Sequence, residues 1–214
     1  MKGVFITGTD TGVGKTYFTS FWTRSLQKTG LTAFPLKPVS TGDRSDAKAL
    51  FEAAEGRISL DEINPIHFPP ALAPFVACKL TSKVFPKESL QRHLQQLQSK
   101  YSGPFLVEGV GGWRVPLSEK YGVREWAQEL NLPILVVARA GLGTLNHVLL
   151  TIDSIRQADL SILGIIINLY PGAGDDASRT NPRIIAELTG LPIFPLPPQA
   201  LPTEELPSWL RLKS

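Results

Sequence analysis

Two lysines, two carboxylates and a glycine-rich loop in this chain could together handle the phosphates of a nucleotide. Near its start, Gly8-Thr9-Asp10-Thr11-Gly12-Val13-Gly14-Lys15-Thr16 carries three glycines, a lysine and a closing threonine. Glycines let backbone N–H groups approach phosphate oxygens that any Cβ would hold away. The lysine ammonium reaches the terminal phosphates, and the threonine hydroxyl can ligate Mg²⁺. Gly12, Val13, Gly14, Lys15, Thr16 and the adjoining Tyr17 are the candidate nucleotide-binding residues of this loop. The spacing departs from the common pattern, because five residues rather than four separate Gly8 from Gly14.

Further along, Lys37 follows the apolar stretch Phe34-Pro35-Leu36, and Asp46 closes the polar loop 41–46. Glu108 follows Phe105-Leu106-Val107 and precedes Gly109-Val110-Gly111-Gly112. A carboxylate at a strand's carboxyl end, followed by glycines, is ligand-facing geometry in an open α/β sheet. Thr16, Asp46 and Glu108 are candidate Mg²⁺ ligands, since Mg²⁺ favours a few hard oxygens together with water and phosphate. Gly109, Val110 and Gly111 would let the backbone approach phosphate. Lys37 adds a second cation near the terminal phosphate. Phosphoryl transfer is catalysed mostly by positioning and charge neutralisation, which Lys15, Lys37, a metal and a ring of N–H groups supply. No Ser-His-Asp or Cys-His arrangement is evident, and three scattered histidines make no zinc pattern. The residues alone lead to a Mg-nucleotide-dependent transferase, ligase or hydrolase.

These side chains need a scaffold that presents strand ends and helix starts along one edge. Val4-Phe5-Ile6 reads as a buried strand, and Phe18, Phe21, Trp22 and Leu26 place one apolar face on a helix over 17–28. A strand over 32–39 follows, with Pro35 arguing against a central position. Helices are predicted over 46–55, 87–100, 122–130, from 143 to about 158, and 181–189. Strands are predicted over 105–107, 133–138, 162–168 and 193–196. Residues 58–86 are broken by Asn64-Pro65, Pro69-Pro70, Pro74 and Pro86 and read as an irregular excursion. His93 reads as solvated, Cys78 as structural within a loop, and Trp113 as packing. Alternating strands and helices predict one doubly wound α/β domain over 1–214, mostly parallel, with helices on both faces.

The chain has 214 residues, 43% of them hydrophobic and 19% charged, with a net charge of +3. That is globular, and the scattered basic residues do not call for nucleic acid. The single Cys78 excludes an internal disulfide framework. No apolar run approaches the length of a membrane span. Met1-Lys2 runs straight into the first strand without a signal pattern, so a cytoplasmic location is expected.

Taken together, the Gly8–Thr16 loop, Lys37-Pro38-Val39, Ser45-Asp46-Ala47, Glu108-Gly109-Val110-Gly111-Gly112-Trp113 and Leu142-Gly143-Thr144-Leu145-Asn146-His147 resemble the dethiobiotin synthetases in order and spacing. The resemblance covers nearly the whole chain. It implies a P-loop fold and an ATP-dependent ligase of biotin synthesis, closing 7,8-diaminononanoate with CO₂ or bicarbonate into dethiobiotin with Mg²⁺. It implies catalytic roles for Lys15 and Lys37, and substrate contacts from Thr11 and Thr41. Asn168 would read adenine, and Pro195, Leu196 and Pro197 would lie beside the base. It implies a homodimer in which Gly143, Thr144, Leu145 and Asn146 of the second subunit hold the substrate carboxylate. Val110 stands where the family usually has Ala, and Leu169 where some members carry an acid. A partition-type ATPase switch acting on a protein partner shares the first loop. Such proteins usually carry a further lysine early in it, where this chain has Thr9, Asp10 and Thr11. Loss of Lys37 is expected to abolish turnover and leave the fold intact, as removal of a charge from a surface cleft.

Overall fold

The computed structural model describes residues 1–170 and 175–212. The first strand, β1 (Gly3–Gly8), is followed by helix α1 (Lys15–Lys28) and by the short strands β2 (Phe34–Leu36) and β3 (Val39–Thr41). Then come α2 (Ser45–Ala53), α3 (Leu60–Ile63), β4 (Ile66–Phe68), α4 (Pro74–Leu80) and α5 (Lys87–Lys100). The remainder alternates: β5 (Phe105–Glu108), α6 (Val123–Leu130), β6 (Ile134–Arg139), α7 (Thr144–Arg156), β7 (Ile162–Asn168), α8 (Asp176–Thr189) and β8 (Ile193–Leu196). A short 3₁₀ turn, Ser208–Leu210, ends the described chain.

Six strands pair in parallel in the order β2-β5-β1-β6-β7-β8. The chain winds outward from β1 to one side and then returns to the other, so the carboxyl end of β1 lies at the switch point where such sheets bind ligands. Alternate residues of β1 feed two separate cores. Val4 and Ile6 pack with Phe18, Trp22 and Leu26 of α1, while Phe5 packs with Val107, Trp126 and Val136 on the opposite face. This is the doubly wound parallel architecture that the alternation of elements implies. Pro35 lies on the edge strand β2, where its missing N–H costs no ladder bond.

Five local expectations need correction. The strand over 32–39 is two strands in two sheets, because Pro38 cannot donate and restricts Lys37 before it. The second of these, β3, pairs with β4 in a small parallel sheet, with Val39 opposite Ile66 and Thr41 opposite Phe68. The excursion over 58–86 is therefore ordered, built of α3, β4 and α4. Each is too short to show a period, and Cys78 sits buried in α4 rather than in a loop. Helix α8 begins at Asp176, ahead of Pro182, because Asp175 caps it by accepting the Ser178 N–H. His93 is half-buried, with Nε2 2.8 Å from the Glu62 carbonyl.

Glu62 ties α3 to its surroundings. With Ser59 it forms a capping box, and its carboxylate also accepts from Lys100 Nζ (2.6 Å) and the Tyr101 hydroxyl (3.0 Å). Burial alone would raise its pKa. Lys100, the Ser59 amide and hydroxyl, and Tyr101 outweigh that and lower it to about 2 from 4.5. A depressed carboxylate contributes stability that is complete above the unfolded value and is lost as pH falls toward 2. Discounted for solvent screening, that contribution is on the order of 1–2 kcal/mol. Glu62→Gln is expected to be less stable than the parent by that amount at pH 7, with the gap narrowing between pH 5.5 and 3. Urea unfolding of both proteins across that range checks it.

Candidate functional site

The loop between β1 and α1 turns back on itself through Gly12 and Gly14, whose φ values are +72° and +95°. Gly14 is the N-cap of α1, in the left-handed region, and a Cβ there would run into the Asn168 amide. No side chain caps α1 and no acid sits in its first turn, so its N-terminal amides are left for an anion. Asn168, at the end of β7, is buried behind the loop and donates through Nδ2 to the Val13 carbonyl at 3.1 Å.

Lys15, buried at the start of α1, donates to the Asp10 carbonyl at 3.0 Å and makes no ion pair among the described residues. Burial, reinforced by the neighbouring Lys37 charge, pushes its pKa down to about 8. A phosphate would supply the missing counter-charge. Lys37 is 3% exposed and lies between Glu108 (2.5 Å) and Asp46 (2.9 Å). Burial would lower its pKa, but the two carboxylates overcome this and raise it, so it is held as the ammonium. For Asp46, burial works upward, and Lys37 prevails and lowers it. Asp46 sits in the first turn of α2, where the helix dipole also favours a carboxylate.

Glu108 is 0% exposed. Its Oε1 accepts from both Lys37 and Thr16 Oγ1 (2.8 Å), and its buried Oε2 has no partner among the described residues. An unpartnered carboxylate oxygen beside a threonine hydroxyl and the Asp46 carboxylate is a hard-oxygen donor set that fits Mg²⁺. Among the described residues there is no cluster of three or more His, Cys, Asp or Glu, so this candidate depends on two carboxylates and a hydroxyl.

These groups face a cleft of about 530 Å³. Of the expected site residues, Thr11, Gly12, Gly14, Lys15, Thr16, Tyr17, Lys37, Thr41, Asp46, Glu108, Val110 and Gly111 line it. Val13 is buried beneath the loop, and the Gly109 N–H is spent on the Ile6 carbonyl. Leu196 is buried in β8, and the Pro197 carbonyl accepts from the Tyr17 hydroxyl at 3.0 Å, beside the start of α1 rather than within the cleft. Gly143, Thr144, Leu145 and Asn146 form the start of α7 and do not line the cleft of their own chain. Trp113 packs as expected, with Nε1 donating to Ser154 Oγ.

One wall of the cleft is not legible in the sequence, and neither is Asn64. Ala71, Leu72 and Ala73, leading into Pro74 at the start of α4, add apolar lining to the cleft together with Val115. Their only signal is the cluster Pro69-Pro70 and Pro74, which reads equally as a break. The Asn64 side chain holds the Lys37 carbonyl (2.7 Å).

An AAA-domain family profile matches residues 2–204. The ATP-dependent dethiobiotin synthetase of Aquifex aeolicus (strain VF5) is 40% identical, over 97% of this chain and 93% of its own. Those of Endomicrobium trichonymphae and Bacillus subtilis (strain 168) are each 38% identical, over 91% and 93% of this chain and 92% and 88% of their own. Two solved structures share the fold at low identity. A ParA family ATPase from Chlorobium tepidum TLS has TM-score 0.56 at 16% identity, covering 94% of this chain and 86% of that one. The signal recognition particle 54 kDa protein from Aeropyrum pernix K1, in complex with GDP, has TM-score 0.60 at 17%, covering 98% and 44%. At such identities these two speak for the fold alone, whereas the synthetases align over nearly their full length at more than twice the identity. The chain belongs to the ATP-dependent dethiobiotin synthetase family.

Proposed function

We propose that this protein is an ATP- and Mg²⁺-dependent ligase that closes 7,8-diaminononanoate and CO₂ into the cyclic urea of dethiobiotin, releasing ADP and phosphate. The observation that carries the reading is the pair Lys15 and Lys37 in one cleft. One is free to meet phosphate, and the other is locked by Glu108 and Asp46. An amine of the substrate adds to CO₂ and loses a proton to give a carbamate. A carbamate oxygen attacks the γ-phosphorus and ADP leaves. The second amine then attacks the carbonyl carbon of the mixed anhydride, phosphate leaves with the carbamate oxygen, and the ring closes.

The loop amides of Gly12 to Thr16 hold the phosphates, and Lys15 neutralises charge on the transferred group. Lys37 is aimed at the same charge from the carbamate side, with Thr11 and Thr41 as hydroxyl contacts. Thr16, Asp46 and Glu108 would hold Mg²⁺, which supplies charge neutralisation on the phosphates. The apolar wall 71–74 with Val115 suits an aliphatic chain better than a second polar substrate. The base lies toward Asn168, Pro195, Leu196 and Pro197, on the far side of the loop. A cytoplasmic location suits an ATP-consuming reaction of this kind.

A homodimer completes the site in this reading. Gly143 to Asn146 lie off their own cleft, and the same segment exposes Leu142 at 88% and Leu150 at 62%. A second copy can cover those leucines and bring the uncapped α7 N-terminus to the first copy's substrate carboxylate. Asn146→Ala is expected to raise the diamine KM about tenfold with the ATP KM unchanged. Steady-state kinetics with each substrate varied checks it, and an unchanged diamine KM contradicts the shared site.

A coupled ADP-release assay with ATP, Mg²⁺ and bicarbonate tests the activity itself. Turnover should require the diamine, and ADP release independent of it would point to a nucleotide switch instead.

A further inference from the structure

Lys37 stands where the chain leaves the six-stranded sheet and enters the two-stranded one. Its own N–H donates to the Ile63 carbonyl at 3.0 Å, and its carbonyl accepts from Asn64 Nδ2 at 2.7 Å. Pro38, next along, brings no N–H to this junction. The backbone that aims Lys37 is thus gripped from both sides by two consecutive residues at the end of α3.

Asn64 is 2% exposed and every hydrogen-bonding site of its side chain is used. Nδ2 donates to the carbonyls of Lys37 and Ile66 (3.3 Å), and Oδ1 accepts from Ser40 Oγ and Arg44 Nε, both at 3.0 Å. Two carbonyls on one end and two donors on the other leave one orientation for the amide. Three of these four partners lead into the cleft. Lys37 is one of its two cations, Ser40 lines it, and Arg44 is the N-cap of the helix whose first turn carries Asp46. The phosphate loop is held differently, through β1, the Val137 carbonyl and Asn168, and Asn64 makes none of these bonds.

We propose that Asn64 is a positioning residue. Its buried amide fixes the distance between Lys37 and Asp46, and so the placement of the Lys37 ammonium against the transferred phosphoryl group, without contributing to nucleotide binding by the loop. This rests on the ligase reading above. A ring of fully paired polar atoms is rigid, and losing one member leaves the others unsatisfied rather than free to re-form. A displacement of Lys37 by an ångström is enough to cost about a hundredfold in rate.

The test compares Asn64→Asp, Asn64→Ala and Arg44→Met with the parent protein. Asn64→Asp keeps the shape and removes the donors. Arg44→Met removes one donor to Oδ1, along with the guanidinium bonds to the Asn64 and Leu60 carbonyls and to Asp61, at a part-exposed position, and reports even if both Asn64 variants fail to fold. Diamine-dependent kcat should fall about 10- to 100-fold in the Asn64 variants and about threefold in Arg44→Met. The dissociation constant for ADP should stay within about threefold of the parent. The affinity of a non-hydrolysable ATP analogue relative to ADP should fall as well, because only the analogue carries the phosphate that Lys37 faces. An unchanged kcat in a folded variant, or ADP affinity lost in proportion to kcat, overturns the proposal. Absence of diamine-dependent turnover in the parent refutes the ligase reading. The analogue-to-ADP ratio needs no turnover, and still decides for or against Asn64.

Discussion

Lys37→Ala is expected to lower kcat by about 10² to 10³ and to destabilise the fold by about 3 kcal/mol. The first effect follows from losing a cation placed against the developing phosphoryl charge. The second follows from burial. Lys37 is not a cleft-surface charge: it is 3% exposed, and its partner Glu108 is fully buried. Removing the ammonium leaves the Glu108 carboxylate with the Thr16 hydroxyl as hydrogen-bond donor and Lys15 as a neighbouring cation that does not touch it, and a buried charge so weakly paired is costly. The expectation that the fold survives this change untouched is therefore corrected. Combining Lys37→Ala with Glu108→Gln removes the stranded charge, and should restore part of the stability while leaving kcat no higher than in the single variant. Thermal unfolding and the ADP-release assay on both variants check this. A single variant as stable as the parent and within tenfold of its kcat would show that Lys37 does neither job.

Gly14→Ala is the second large effect. At φ +95° an alanine pays about 1–2 kcal/mol for the left-handed backbone, and its Cβ meets the Asn168 amide. Asn168 must move, releasing the Val13 carbonyl that it holds. The loop amides then lose their convergence on the phosphates. ADP affinity is expected to fall by about tenfold or more, and the melting temperature by roughly 2–8 °C. Calorimetric titration with ADP measures the first and scanning calorimetry the second. An ADP dissociation constant within twofold of the parent would contradict the tight fit of loop, glycine and asparagine.

Gly14 and Lys37 differ in how plainly the amino-acid order declares them. The loop around Gly14 is legible because its chemistry is local: glycines, lysine and threonine lie within a few consecutive residues and carry their own mechanism. Lys37, Asp46 and Glu108 are legible as types at strand ends and a helix start, where α/β sheets gather ligand groups. The tightness of their pairing is not, because the 2.5 Å contact of Lys37 with Glu108 joins positions 71 residues apart. Helices α5 and α7 and strand β7 announce themselves by periodicity or continuous apolar runs. The segment 58–86 does not. A four-residue helix, a three-residue strand and a seven-residue helix have no period to detect, and the first two are held by tertiary bonds such as Glu62 to Lys100 and Asn64 to Lys37. Asn64 itself looks like half of an Asn-Pro break, which describes its backbone and hides its side chain. The apolar wall at 71–74 is concealed likewise by its prolines.

In the proposed reaction a carbamate oxygen takes the γ-phosphoryl group within the cleft of Lys15 and Lys37. A single turnover with ¹⁸O-labelled CO₂ in unlabelled water, quenched before the label exchanges with solvent, tests this most directly. The released phosphate is expected to carry one ¹⁸O, transferred from the carbamate, and only when the diamine is present. Phosphate bearing no label, formed at the same rate as ADP, would show that water rather than carbamate is phosphorylated and would overturn the ligase mechanism.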